Sequence, residues 1–299
     1  MNDTKSFTAG ESKDITVDVS FRRKPKWLKI QLPRGFKTRQ VIALLNDRNL
    51  HTICTSGLCP NRAECWGAGT ATFMLCGNIC TRSCRFCNVS TAKPLPVDPH
   101  EIDYIADSIK KLELRHVVLT SVDRDDLPDQ GAGHWARAIR TVKRECPGVT
   151  MEVLIPDFRG DKSLIDMIVA EGPEIISHNM ETVRRLTPDV RSVATYDRSL
   201  EVLRYLASRG VRTKSGIMLG LGETREEIIE TMDDLRRVGC QIMTIGQYLQ
   251  PTEEHYQVRA YIHPDTFEEY GRIARDKGFR HVESAPLVRS SYHAEKHLD

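Results

Sequence analysis

The sequence contains few aromatic residues, almost no net charge and no long apolar run. Only 6% of its 299 residues are aromatic, and 43 basic residues against 41 acidic ones leave a formal net charge of +2. This balance does not indicate a basic surface for nucleic acid. The absence of any run of about 18 apolar residues argues against a transmembrane helix. Because 40% of the residues are hydrophobic, the composition excludes a disordered chain and predicts one large or two smaller globular domains.

The first twenty residues also lack the features of a targeting segment. They include four acidic residues and no apolar core. Secretory signals contain an apolar segment, and transit peptides are poor in acidic residues. We therefore expect a cytoplasmic protein with no membrane partner and no nucleic-acid partner.

Cysteine is the residue type that is most informative here. Seven of the nine cysteines fall between residues 54 and 87. An odd number in a chain of this length does not fit a secreted disulfide scaffold, so the group predicts metal or redox chemistry. Cys146 and Cys240 stand alone, and we expect both to be small, partly buried hydrophobic residues.

Six of the clustered cysteines form two triads. The first triad has the spacing C-x4-C-x5-C and the second has C-x3-C-x2-C; their members are Cys54, Cys59 and Cys65, and Cys80, Cys84 and Cys87. Zinc sites usually pair two C-x2-C units, and only one is present. The spacing therefore favours iron–sulfur clusters, which typically take four ligands. Three cysteines for each cluster would leave one iron open to a substrate or cofactor.

Three neighbours of the second triad have two interpretations each. Cys76 offers a fourth thiolate, but strand alternation and the usual burial of cysteine favour a packed residue. Arg82 and Arg85 would either stabilise the thiolate charge or face solvent, and the sequence leaves both alternatives open.

Short apolar runs alternate with amphipathic helices along most of the chain. The predicted strands are 70–76, 116–121, 149–155, 174–178, 211–219 and 242–247, and a further helix is predicted over 38–50. This alternation predicts parallel βαβ units and an α/β fold, namely a partial (β/α)6 barrel, with a doubly wound sheet as the alternative. The second triad directly follows the first strand, at the barrel end where enzymes of this architecture place their chemistry.

The motif Cys80-Thr-Arg-Ser-Cys84-Arg-Phe-Cys87 resembles that of the radical S-adenosylmethionine (SAM) superfamily. A more specific resemblance is to the lipoyl synthase family. It covers about residues 24–297 and includes KPKWLKIQLP, LHTICTSGLCPNRAECWGAGTATFM, TSVDRDDLPD, HNMETV, GIMLGLGE, TIGQYLQPT and VRSSYHA. It implies four segments: an N-terminal tail and strap (1–33), an auxiliary-cluster segment (34–70), the radical SAM partial barrel (71–250) and a C-terminal extension ending in Arg-Ser-Ser-Tyr (251–299).

The resemblance implies two [4Fe–4S] clusters and their ligands. Cys80, Cys84 and Cys87 would hold the cluster that binds SAM. The first triad would hold an auxiliary cluster together with Ser291, the second serine of Arg-Ser-Ser-Tyr. Without the resemblance, this tetrapeptide is only a polar segment, because serine is an unusual cluster ligand.

The same resemblance implies the reaction. A 5′-deoxyadenosyl radical would remove hydrogen from C6 and then C8 of a protein-bound octanoyl chain, and the auxiliary cluster would donate both sulfur atoms. The expected partners are an octanoylated lipoyl-carrier domain or the glycine-cleavage H protein, an electron donor such as ferredoxin or flavodoxin, and an iron–sulfur cluster carrier. Two alternatives are a radical SAM enzyme that acts on another sulfur-accepting substrate and a non-enzymatic two-cluster protein.

The residues predicted to bind SAM follow the predicted strands and the second triad; they are Phe86, Thr120, Ser121, Asp123, Asn179, Glu181 and Gly216. For Ser121 and Asp123 the alternative is loop capping, and for Asn179 it is helix N-capping. The glycine-rich stretch over 216–223 lacks a complete phosphate-binding motif, so we expect a wall of the cofactor pocket instead. Two departures from the family pattern, Gln130 and Gln257, affect loops and not predicted ligands.

Overall fold

The computed structural model describes residues 24–29, 42, 45, 50–57 and 59–298. Most of the predicted tail, and the helix predicted over 38–50 except for residues 42, 45 and 50, lie outside the described residues. Within the strap, Leu28 is 2% exposed, and the Trp27 ring contacts the edge of the His263 ring at a centroid distance of 5.1 Å. The boundaries of the four predicted segments stay a prediction.

A seven-stranded parallel sheet forms the centre of the molecule. Its strands are β1 (Thr70–Leu75), β4 (His116–Ser121), β5 (Thr150–Leu154), β6 (Ile175–Ser177), β7 (Thr213–Leu219), β8 (Ile242–Gln247) and β9 (His281–Ser284), and they are paired in that order. Two short strands, β2 (Ile79–Cys80) and β3 (Ser90–Thr91), form a separate parallel pair. Because spatial order follows chain order, the sheet is an open barrel and not a doubly wound sheet.

Helices connect and flank the strands. They are α1 (Ile53–Ser56), α2 (Arg62–Gly67), α3 (Glu101–Lys111), α4 (Ala132–Glu145), α5 (Lys162–Val169), α6 (Thr187–Val190), α7 (Tyr196–Ser208), α8 (Arg225–Arg237) and α9 (Pro264–Asp276). Short 3-10 turns occupy Lys26–Leu28, Phe158–Gly160 and Ala294–Leu298. Within the described residues, no helix is long and apolar enough to cross a membrane.

The six predicted strands are all present, because each apolar run is buried between the barrel interior and the helices. A seventh strand, β9, was not predicted. Its four residues are only half-buried and include His281 and Glu283, so it lacks the continuous apolar pattern of its neighbours. It extends the sheet beyond the predicted barrel segment.

The sequence predicts two helix starts: a capping box at Thr224 and Glu227, and an N-cap at Asp98 that the Glu101 carboxylate would complete. Thr224 and Glu227 form the predicted capping box at the start of α8. The Asp98 carboxylate accepts a hydrogen bond from the His100 backbone N–H at 2.8 Å, as predicted for an N-cap, although α3 itself begins at Glu101. The Glu101 carboxylate instead accepts hydrogen bonds from the backbone N–H groups of Cys76 and Gly77, both at 2.9 Å. It thereby stabilises the turn that follows β1.

Candidate active site

A cavity of about 310 Å³ lies at the carboxyl ends of the strands. The three cysteines of the second triad line it, because β1 leads directly into the loop that carries them. All seven residues predicted to bind SAM also line this cavity: Phe86, Thr120, Ser121, Asp123, Asn179, Glu181 and Gly216. In a parallel sheet the residues that end successive strands meet at one edge, which explains why positions far apart in the chain come together here.

The thiols of the second triad are free and mostly shielded from solvent. Two backbone N–H groups, of Arg82 and Asp123, donate to Cys80 Sγ at 3.4 and 3.3 Å. Burial raises the pKa of Cys80 to about 11 and that of Cys87 to about 12. Since cluster ligands are thiolates, loading this site with iron must displace protons.

The solvent-facing alternative for Arg82 is wrong. Its side chain is buried and forms a bidentate hydrogen bond with Asp125 at 2.7 and 2.8 Å. It also forms ion pairs with Asp157 at 2.8 Å and with Asp123 at 3.3 Å. Arg82 therefore fixes the cysteine loop to the ends of β4 and β5. Asp157 follows β5 as Asp123 follows β4. Selecting polar residues just after the predicted strands would therefore also have identified Asp157.

Arg85 matches the solvent-facing alternative. Its guanidinium carbon lies over the Tyr256 ring, 5.2 Å from the ring centroid, and one of its nitrogens donates to the Asp189 carbonyl at 3.3 Å. The side chain therefore lies on the outer surface of the loop and does not line the cavity.

The hydroxyls that end β4 already have partners in the barrel. Trp135 Nε1 donates to Ser121 Oγ at 3.2 Å, and Thr120 Oγ1 donates to the Leu154 carbonyl at 3.3 Å. The Asp123 carboxylate faces the cavity, and burial raises its pKa to about 6 despite the nearby Arg82. Asp123 is thus the polar group of this segment with most capacity left for a ligand.

The far wall of the cavity has the features of a binding surface. Asn179 Oδ1 is buried without a hydrogen-bond partner among the described residues, and a buried polar atom of this kind indicates a missing ligand or water. No helix begins beside Asn179, so the N-capping alternative is wrong. A Cβ atom at Gly216 would overlap Thr244 Oγ1, and burial raises the pKa of Glu181. These residues fit a ligand with hydrogen-bond donors that approaches the backbone closely.

The rest of the glycine-rich stretch over 216–223 makes contacts within the protein and leaves no free phosphate-binding groups. The Glu223 carboxylate accepts the N–H groups of Gly220 and Leu221 at 2.6 and 2.9 Å. Gly220 has φ of +96° and lies against Gln247, where a Cβ atom would have no room. Because the backbone donors are occupied, this loop is not a phosphate site, in agreement with the predicted pocket wall at Gly216.

A second cavity, of about 400 Å³, lies beside the edge strand β1. Cys54, Cys59, Cys65 and Ser291 all line it. Burial is the main reason why the pKa of each cysteine in this triad is raised, to about 11 for Cys54 and about 12 for Cys65. The described residues contain no set of three side chains that could hold a single metal ion. A cubane cluster binds each thiolate at a different iron, so the donor set of three thiols and one hydroxyl still suits such a cluster.

The segment that carries Ser291 is held against the first triad by long-range contacts. Asn61 Nδ2 donates to the Leu287 carbonyl at 2.6 Å, and Tyr292 Oη donates to Glu64 at 3.0 Å. A Cβ atom at Gly246 would overlap the Val288 carbonyl, so this position requires glycine for close backbone contact.

The two cavities share one wall. The residues common to both are Ile53, Phe86, Cys87, Met218, Arg289 and Ser290. The predicted strand over 211–219 would place Met218 in the core; its half-buried side chain packs against the core and also lines both cavities. Arg289 was not singled out, although it begins the quoted Arg-Ser-Ser-Tyr motif; burial lowers the pKa of its guanidinium.

The other cysteines lie away from both cavities. Cys76 is 4% exposed and belongs to the hydrophobic core, as expected for a packed residue. Cys146 and Cys240 are 5% and 0% exposed. They are more deeply buried than predicted but are still isolated hydrophobic residues.

The open parallel barrel and the cysteine loop at its carboxyl end define a radical SAM protein. Residues 74–235 match the model of the Radical SAM superfamily. The fold is similar to that of a methylornithine synthase (TM-score 0.56, 14% identity, 84% of this chain and 82% of the other). It is also similar to that of HydG, a maturase of the [FeFe]-hydrogenase (TM-score 0.56, 11% identity, 87% and 70%).

More similar sequences identify the family. The lipoyl synthase of Treponema denticola is 61% identical over 277 residues, which is 93% of this chain and 96% of that protein. The lipoyl synthase of Bacteroides fragilis is 59% identical over 276 residues, or 92% and 96% of the two chains. This chain belongs to the lipoyl synthase family, whose members use SAM and two [4Fe–4S] clusters.

Proposed function

We propose that this chain inserts two sulfur atoms, at C6 and C8, into an octanoyl group attached to a lysine of a carrier protein, forming the lipoyl cofactor. Membership of the lipoyl synthase family supports the reaction class. The observation that carries the proposal is the wall between the two cavities, each of which is lined by one cysteine triad. An alkyl chain that lies against this wall would be within reach of both sites.

The chemistry requires the cofactors. An unactivated C–H bond has no acidic proton, so no acid or base among the side chains that line the cavities can break it. When bound, the cluster at Cys80, Cys84 and Cys87 supplies the electron that cleaves SAM, and the auxiliary cluster supplies the sulfur atoms. The protein has to bind, orient and shield these groups.

We assign the polar residues of the first cavity to SAM. The unpartnered Asn179 Oδ1 and the Asp123 carboxylate are acceptors suited to the ammonium group of its methionine part. Gly216 allows a flat ring to approach the backbone, because a side chain at this position would fill that space. Ser121 and Thr120 help to position this wall through their bonds within the barrel.

We assign Cys54, Cys59, Cys65 and Ser291 to the auxiliary cluster. A serine oxygen is a poorer ligand than a thiolate for iron in such clusters. A weak fourth ligand suits a cluster that must give up its sulfur. The apolar part of the common wall, Ile53, Phe86 and Met218, suits the octanoyl chain between the two sites.

The partners follow from the same reaction. The family implies a lipoyl-carrier substrate and an electron donor. We propose an octanoylated lipoyl domain of a 2-oxoacid dehydrogenase or the glycine-cleavage H protein as carrier, ferredoxin or flavodoxin as donor, and an iron–sulfur carrier that rebuilds the auxiliary cluster. A cytoplasmic location stays a prediction.

The test is mass spectrometry of an octanoyl-lysine carrier peptide after anaerobic incubation with the reconstituted protein, SAM and a strong reductant. We expect the peptide to gain two sulfur atoms while 5′-deoxyadenosine is released. SAM cleavage without sulfur gain would point to another substrate. Absence of cleavage in a protein that holds both clusters would contradict the radical SAM assignment.

A further inference from the structure

The chain continues past Ser291 into a short 3-10 helix, Ala294–Leu298, which lies at the amino ends of the strands. This is the barrel end opposite the second triad. Thr70, the first residue of β1, donates to Glu295 Oε2 at 3.2 Å, and Arg212, just before β7, donates to the His297 carbonyl at 2.8 Å. Ala294 and His297 are 0% and 1% exposed. The helix therefore closes the barrel at the amino ends of the strands.

His297 meets a fully buried ion pair inside the barrel. Lys214 is 0% exposed, and its ammonium group donates to the Glu152 carboxylate at 2.9 and 2.8 Å. The Lys214 Nζ atom lies 3.4 Å from His297 Nδ1. An ammonium group can only donate, so Nδ1 must be the acceptor and the imidazole must be neutral.

The charged and titratable surroundings agree with a neutral imidazole. Burial, together with the charge of Lys214 and the neighbouring His281, His116 and His293, lowers the pKa of His297 to about 2. The ring also lies 5.8 Å from the His281 ring on β9, centroid to centroid.

We propose that His297 is a positioning residue for the auxiliary cluster: by anchoring the terminal helix in the barrel, it holds Ser291 at the first triad. Ser291 lies between two fixed points, the Leu287–Asn61 contact upstream and the buried helix downstream. Without the downstream anchor, the serine segment would be held upstream and by the contacts of Tyr292 and His293 with the exposed Glu64, at 3.0 and 3.7 Å. This inference rests on the proposed role of Ser291.

Three variants at this position separate anchoring from general stability. His297→Lys places a second ammonium group beside Lys214 and should expel the helix. His297→Asn keeps an acceptor at the position of Nδ1. It removes no other side-chain hydrogen bond, because His297 Nε2 has no hydrogen-bond partner among the described residues. Lys296→Ala changes the exposed neighbour and is the matched control.

The first measurement is hydrogen exchange of the cluster-free full chain, followed by mass spectrometry of its peptides. We expect residues 287–293 to exchange at least about tenfold faster in His297→Lys, while the barrel strands keep their protection. His297→Asn and Lys296→Ala should behave like the unchanged protein.

The second measurement is the Mössbauer spectrum and the iron content of the reconstituted variants, with Ser291→Ala included. We expect His297→Lys to lose the auxiliary cluster and about half of its iron, and His297→Asn to keep both clusters.

An altered auxiliary cluster in Ser291→Ala with an unchanged one in His297→Lys would overturn the anchoring role alone. An unchanged cluster in Ser291→Ala would overturn the proposed ligand. Two further results would overturn the inference: loss of the auxiliary cluster in His297→Asn equal to that in His297→Lys, or loss of hydrogen-exchange protection throughout the barrel in His297→Lys. In either case His297 would only fill space in the barrel.

Discussion

The two cavities are built in different ways, although each is lined by three cysteines. The second triad occupies one short loop, and Arg82 fixes that loop to the ends of β4 and β5. The cavity of the first triad needs a partner from the other end of the chain, as the contact between Asn61 and Leu287, 226 residues apart, shows.

This difference indicates which site depends on long-range order. Closing a loop of more than two hundred residues costs conformational entropy, which tertiary contacts must offset. The loop of the second triad requires only a short closure on an existing barrel. We therefore expect changes near the C-terminus to affect the first triad and to leave the second intact.

The largest effects are expected from the cysteines themselves. Cys84→Ala should abolish SAM cleavage and keep the auxiliary cluster, whereas Cys65→Ala should keep cleavage and abolish sulfur insertion; each should lose about half of the iron. Iron analysis and chromatography of 5′-deoxyadenosine measure both properties. Cys146→Ala, at a buried cysteine away from both cavities, is the control. Loss of cleavage in Cys65→Ala would show that the two sites are not separable.

A smaller effect is expected from a substitution in the wall of the first cavity, which should weaken SAM binding. In Gly216→Ala, the added methyl group would overlap Thr244 Oγ1 and lie 3.3 Å from Asn179 Oδ1. Overpacking of about 1–3 kcal/mol should weaken SAM binding about 5- to 150-fold without loss of the auxiliary cluster. Titration calorimetry on the cluster-loaded protein measures this affinity. Gly67→Ala, where no atom lies within 4 Å of the new carbon, should bind SAM normally. Equal affinities of the two variants would count against the assigned SAM pocket.

The smallest effect concerns pH. His178 directly follows β6 and lines the first cavity; its Nδ1 donates to the Ile155 carbonyl at 2.9 Å, and its Nε2 accepts from Ser199 at 3.0 Å. Burial lowers its pKa to about 4 from an ordinary value of 6.5. Between these values the unfolded chain binds more protons, so the free energy of unfolding should fall as the pH drops from 6.5 towards 4, by at most about 1.4 kcal/mol per pH unit from this group.

Urea unfolding at several pH values, compared with His178→Gln, isolates this contribution. The variant should show a smaller decline over the same range. Burial also lowers the pKa of His116 to about 4 and that of His297 to about 2, so both contribute to the decline in either protein, and only the difference between the two proteins reports His178. Parallel declines in both proteins would mean that other groups control the acid lability.

Much of the fold could be predicted because it depends on local periodicity. The buried runs of β1, β4 and β8 are continuous and apolar, and they were located to within a residue at each end. The half-buried β9 has no such pattern, so its place in the sheet depends on pairing with β8. The predicted cap at Asp98 forms, but the Glu101 carboxylate does not complete it, because Glu101 makes a long-range bond to the turn after β1.

In the candidate site too, some features follow from local sequence and others depend on long-range contacts. Residues that end strands, such as Asp123 and Asn179, could be selected because the ends of parallel strands meet. The side-chain directions of Arg82 and Met218 could not, because they depend on partners that the fold brings from other segments.

By itself, the sequence determined the alternation of strands and helices and the two cysteine triads, because both are local patterns of spacing and burial. Only the tertiary structure decided which contacts hold the Ser291 segment beside the cavity of the first triad, that Arg82 binds three carboxylates and that the two cavities share a wall. These arrangements join segments far apart in the chain. Such contacts form where burial and hydrogen bonding outweigh the entropy of closing long loops, and no local pattern records that balance.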